Sequence, residues 1–112
     1  MNDLATKHCH ACEGGVQPLS KQQIAEFLAQ TADWTANDKG DMISRTFQFK
    51  NYYRTMAFVN ALAWIAHQED HHPDLEVSYN KCTVHYSTHA IKGLSENDFI
   101  CAAKINGLLA DK

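Results

Sequence analysis

Residues 75–89 read Leu75-Glu76-Val77-Ser78-Tyr79-Asn80-Lys81-Cys82-Thr83-Val84-His85-Tyr86-Ser87-Thr88-His89. Leu75, Val77 and Tyr79 alternate with polar residues up to a turn around Asn80-Lys81, and Val84, Tyr86 and Thr88 alternate after it. A period of two sends successive side chains to opposite faces of an extended strand, so this stretch is predicted to be a hairpin with one face toward a core. Thr83, His85, Ser87 and His89 share the other face, and Gly93 breaks the second strand.

Another strand pair precedes it. Trp34-Thr35 opens a strand and Asn37-Asp38-Lys39-Gly40 is a turn signal. Residues 41–50 then alternate, with Ile43, Phe47 and Phe49 on one side and Met42, Ser44, Thr46 and Gln48 on the other. Helices flank the two hairpins. Ser20 with Gln23 makes a capping box, and Ile24, Phe27, Leu28 and Thr31 share a face, predicting a helix that stops near Asp33. Asn51 caps a longer helix whose stripe of Tyr52, Met56, Val59, Ala63 and Ala66 is widened by Phe58, Leu62 and Trp64. That width predicts burial on two sides, against the sheet and against a partner. The helix must end before Pro73, because proline disfavours the helical conformation in the residue preceding it. Ser95, with Asp98 at the third helical position, starts a last helix carrying Phe99, Ala102, Ala103, Asn106 and Leu109.

The order α-β-β-α-β-β-α implies an α+β fold, a four-stranded antiparallel sheet with three helices packed on one face. Residues 1–17 lack periodicity and are expected to form a flexible leader containing Cys9-x-x-Cys12, ahead of a domain over 18–112. A length of 112 residues suits one domain, and 45% apolar with 21% charged residues fits a globular chain, not a disordered one. Ten basic against thirteen acidic residues give a net charge of −3, so no nucleic-acid partner is expected. No signal-peptide pattern opens the chain, and its apolar-rich run near residues 56–66 is far short of the ~20 residues of a membrane span. A cytoplasmic location without a membrane partner is the expectation. Four scattered cysteines do not suggest a secreted disulfide framework.

Five of the seven histidines (His67, His71, His72, His85 and His89) fall in one short segment. An imidazole titrates near neutrality, and one placed in a cleft contributes about 10²–10⁴ in rate as a general acid or base. His71 and His72 stand at a helix end and His89 at a strand end, and element ends converge on clefts. The plainer alternative is that the paired histidines cap the helix C-terminus, where its dipole favours positive charge. A metal reading competes: His67 and His71 are four apart, but His-Gln-Glu-Asp-His lacks the glutamate position of H-E-x-x-H. His8, Cys9, His10 and Cys12 hold half of a tetrahedral zinc site, or are incidental to a flexible leader. Trp34 is either a core anchor or a flat face for an aromatic ligand. The residues alone therefore point to a small acid–base enzyme or a binder of a flat heterocycle.

His71-His72-Pro73, Tyr79, His89 and Asp98 at their spacing resemble the signature of the pterin-4a-carbinolamine dehydratases. Phe-Gln-Phe-Lys-Asn-Tyr at 47–52, Val-Ser-Tyr-Asn-Lys-Cys-Thr-Val at 77–84 and the segment 88–99 are similar to that family too, so the resemblance covers about residues 18–110. The C-x-x-C leader is similar to that of bacterial members. The resemblance implies the α+β fold reached above. It also implies dehydration of 4a-hydroxytetrahydropterin to quinonoid dihydropterin and water, recycling the cofactor of aromatic amino-acid hydroxylases. No metal or organic cofactor is implied. His71, His72 and His89 are implied as the catalytic histidines, with His72 and His89 as the central pair. Trp34 matches a tryptophan near the family's pterin pocket, and His67, Asp70, Pro73 and Asp98 join it as expected substrate-binding residues. His67 stands where the family commonly has an acidic residue, leaving Glu69 and Asp70 as the nearest carboxylates in sequence. Also implied are a homodimer or homotetramer through the second helix and a functional link to a hydroxylase. Some members of the fold act as protein partners, including a mammalian one that stabilises transcription-factor dimers, so a binding or assembly module is the alternative.

Overall fold

In the computed structural model, which describes residues 4–10 and 17–109, strand β1 (Thr35–Ala36) turns into β2 (Ile43–Gln48) around Asn37. The Asn37 side-chain oxygen accepts the N–H groups of Asp41 (3.0 Å) and Met42 (3.2 Å). Gly40 takes a φ of 71°, which glycine adopts without a Cβ penalty. Strands β3 (Asp74–Val77) and β4 (Lys81–Tyr86) form the second hairpin, and the antiparallel sheet runs β1-β2-β4-β3. Ile43, Phe47, Cys82, Val84 and Tyr86 are buried on its inner face. Helices α1 (Lys21–Leu28), α2 (Tyr52–Glu69) and α3 (Glu96–Gly107) cover that face. The predicted element order and layer arrangement are therefore those observed.

Several local expectations need correction. The α1 capping box is present, but the helix stops at Leu28 rather than near Asp33. Gln30 and Thr31 already bond three residues back, the Thr31 hydroxyl donates to the Phe27 carbonyl, and Asp33 turns left-handed at φ 70°. On α2 the buried stripe is Thr55, Phe58, Leu62 and Ala66. Thr55 reads as polar, yet its hydroxyl serves the Asn51 and Tyr79 carbonyls and so enters the core. The side of α2 that faces the sheet is buried as expected, and on the rest of the helix Tyr53 and Trp64 are 83% and 60% exposed in the single chain. β4 ends at Tyr86. His89 is not on a strand but opens the 3₁₀ turn His89–Ile91, closed by left-handed Lys92.

Residues 4–10 are not a free leader. Leu4, in the 3₁₀ turn Leu4–Thr6, is buried in the main core. Cys12 lies outside the described residues. Among the described residues no helix is long and apolar enough to cross a membrane.

Candidate active site

The site is built where α2 ends. Asp70 adopts the left-handed conformation (φ 52°, ψ 43°), and the His71 N–H reaches back to the Ala66 carbonyl at 3.1 Å. Aspartate enters this region more readily than most residues with a Cβ, so the sharp stop is compatible with the sequence. The turn lays the His71 ring flat on Tyr86, with centroids 5.2 Å apart and planes 14° from parallel. The Tyr86 hydroxyl donates to the His71 carbonyl at 3.0 Å.

His71 Nε2 lies 2.6 Å from Asp98 Oδ1, and the Asp98 side chain is fully buried. The other Asp98 oxygen accepts the Thr88 hydroxyl (2.8 Å) and the Ser95 N–H (3.0 Å), the latter as half of the α3 capping box. One carboxylate thus starts a helix and orients a histidine. Burial of His71 disfavours its charged ring, but the hydrogen bond and charge of Asp98 outweigh it and hold His71 above the ordinary histidine value. Behind this pair, burial pushes the Tyr86 phenol up. Cys101 Sγ, 3.6 Å from Cys9 Sγ, is held down by the hydrogen bond from Cys9, while the Cys9 thiol is pushed up.

A cavity of about 300 Å³ opens in front of His71, lined also by His72, His89, Asp70 and His10. Ser87, Thr88, Ala90 and Asn97 complete its wall. Asp70 and His72 also border an adjoining hollow of about 350 Å³ whose wall includes His67, Pro73, Leu62 and Leu75. A histidine-lined chamber with an adjoining hollow suits a flat heterocycle that carries a side chain.

The structure therefore brings His71, His72, His89 and Asp70 together, with His67 and Pro73 on the neighbouring hollow. It does not bring Asp98 or Trp34 to the cavity wall. Asp98 acts behind His71. Trp34 is 4% exposed, packs against Phe47 and Tyr86 and donates its indole N–H to Asn106 (2.9 Å), so it is a core residue two rings behind His71. The carboxylate that orients His71 is Asp98, so His67 in the expected acidic position does not leave the ring without one. His67 itself is exposed and rests against Trp64. Reasoning from sequence missed His10 and Asn97. His10 sits in a segment without periodicity, and only its place among histidines and cysteines marked it. Among the described residues no three His, Cys, Asp or Glu side chains gather as a metal site.

Residues 17–108 match the family model for pterin 4 alpha carbinolamine dehydratase. The chain belongs to this family. A Nitrosospira multiformis protein named for the same family is 61% identical over 108 residues, which span 96% of this chain and 94% of the relative. One from Legionella pneumophila is 56% identical over 111 residues, 98% of each chain. The crystal structure of a transcriptional coactivator/pterin dehydratase from Brucella melitensis superposes with a TM-score of 0.79 at 30% identity, over 82% of this chain and 98% of that one. A pterin dehydratase-like RuBisCO assembly factor shares the fold at a TM-score of 0.61 and 23% identity, over 70% of this chain and 90% of that one. Family membership makes the chain a hydro-lyase acting on pterin-4a-carbinolamine.

Proposed function

We propose that His71, His72 and His89 carry the dehydration as a proton-donor and proton-acceptor set around the pterin, with Asp98 keeping His71 in its donor form. The C4a–O bond breaks as the hydroxyl takes a proton from the acid and leaves as water. The N5–H proton passes to the base, and that bond's electron pair becomes the C4a=N5 double bond. Return of a proton from base to acid closes the cycle with no oxidant or reductant. The acid role falls to His71, which differs from an acid–base pair made of His72 and His89 alone. Those two stand exposed at the cavity, where either can accept the N5 proton. The observation that carries this reading is the 2.6 Å contact of His71 with a fully buried carboxylate at the wall of a chamber shared with two more histidines.

Formation of quinonoid dihydropterin from the carbinolamine tests it. His71→Ala is expected to lower kcat/KM by about 10²–10⁴, with substantial losses in His72→Ala and His89→Ala. An unchanged rate in any of the three removes that residue from the mechanism.

The substrate's side chain is assigned to the hollow beside His67 and Pro73. The unpartnered side of α2, with Tyr53 and Trp64, serves self-association into a homodimer or homotetramer. The same reading puts the work in the cytoplasm, beside an aromatic amino-acid hydroxylase. A purely protein-binding role is not favoured, because a binding surface does not need a buried carboxylate that orients a cavity histidine.

A further inference from the structure

The N-terminal arm is pinned along residues 4–10. Leu4 is in the core, Lys104 Nζ donates to the Ala5 carbonyl (2.8 Å), and Lys7 pairs with Glu96 (2.7 Å). The Cys9 N–H donates to Glu69 at 2.7 Å. Glu69 is the last residue of α2, and its side chain is 5% exposed. These contacts tie the arm to α2 and α3, the two elements that deliver His71 and Asp98.

The arm's next residue is His10, on the wall of the histidine cavity. Its backbone is gripped on both sides by one buried side chain. The Asn97 amide oxygen accepts the His10 N–H at 3.1 Å, and the Asn97 amide nitrogen donates to the His10 carbonyl. Asn97 neighbours Asp98 in the first turn of α3. Two adjacent residues of one helical turn therefore place two histidines on one chamber, Asp98 through the His71 ring and Asn97 through the His10 backbone.

We propose that His10 is a fourth histidine of the pterin site, a specificity-determining residue that hydrogen-bonds the bound pterin, with Asn97 as its positioning residue. This rests on the proposed function for the identity of the ligand. His10 is an exposed residue of the cavity wall, and the contact with the buried Asp98 carboxylate belongs to His71, so His10 contributes to holding the substrate rather than to the proton transfers. An interaction made equally in ground and transition states appears in KM and not in kcat.

The test uses the full chain. His10→Ala is expected to raise KM about three- to tenfold, the worth of one hydrogen bond, with kcat within about twofold of wild type. His10→Gln, which keeps a donor and an acceptor, recovers most of the loss. Asn97→Ala also raises KM, and adding His10→Ala to it raises KM by less than the product of the two single effects. His8→Ala, whose ring lies on Glu69 outside the cavity, leaves KM unchanged. An unchanged KM in His10→Ala overturns the proposal, as does an equal rise in His8→Ala, which would make the arm a strap only. Titration with a reduced pterin that is not turned over separates this inference from the proposed reaction. Wild type that binds the pterin without dehydrating carbinolamine defeats the mechanism, while weaker binding by His10→Ala still supports the contact. Equal binding by wild type and His10→Ala, or none by wild type, overturns it.

Discussion

Of the three histidine–carboxylate pairs among the described residues, two lie in opposite settings. His71 meets Asp98 behind the cavity, and His85 meets Glu76 on the open face of the sheet, where its other nitrogen contacts Ser44. The rings are similarly covered, with side-chain exposures of 15% and 22%, but the carboxylates are not: Asp98 is 0% exposed and Glu76 is 73%. An ion pair with an exposed member is screened and contributes about 0–1 kcal/mol. A buried pair is held by its surroundings and leaves an uncompensated charge when one partner is removed. Asp98 also holds Thr88 and the start of α3, whereas Glu76 holds only His85 among the contacts seen. Pairing alone therefore does not mark a functional histidine; the buried carboxylate and the facing cavity do. His85, which shares the strand-face alternation of Thr83, does not line the chamber of His89.

The largest expected contrast is between truncations of the two carboxylates. Asp98→Ala should cost about 3–5 kcal/mol in urea unfolding, because the buried His71 ring, the Thr88 hydroxyl and the Ser95 N–H all lose a partner. Glu76→Ala should stay within about 0.5 kcal/mol. Comparable losses would erase the distinction between the pairs.

A smaller effect follows from proton linkage at His71. Its folded value lies above that of the unfolded chain, so the folded state binds this proton more tightly. The resulting stability is fully present below the ordinary histidine value and is lost as pH rises through the higher folded value. The stability gap between wild type and His71→Gln should therefore be widest at mildly acidic pH and narrow toward alkaline pH. Melting curves across that range check the sign, and a gap that widens with pH would reverse it. The smallest effect belongs to the sheet face: His85→Gln should leave kcat and KM at wild-type values and alter stability by no more than about 0.5 kcal/mol. Loss of turnover there would move the functional assignment to the other pair.

Features carried by neighbouring residues were legible in the sequence. The Ser20–Gln23 capping box, the Ser95 start with Asp98 at its third position and the Asn51 cap depend on side chains within three residues of the groups they satisfy, and the structure contains all three. The hairpins follow from alternation and turn chemistry in the same local way. Asp98 was half legible. Its capping role is local, but its hold on His71 spans 27 positions. Trp34 shows the limit most clearly, since its pairing with Asn106, 72 residues away, decides between core and ligand platform. The buried stripe of α2 was misplaced because Thr55 satisfies its hydroxyl through Tyr79, a partner on the second hairpin. The docking of residues 4–10 had no local signal, since Leu4 is a single apolar residue whose burial depends on α3 being in place.

The pH dependence of kcat/KM for carbinolamine dehydration, measured on wild type and Asp98→Asn side by side, tests the central claim most directly. This substitution preserves the shape of the side chain while removing the charge that holds His71 in its donor form. The account predicts a lower plateau and an alkaline limb that falls at lower pH in Asp98→Asn than in wild type. Superimposable profiles would contradict a proton-donor role for His71 set by Asp98.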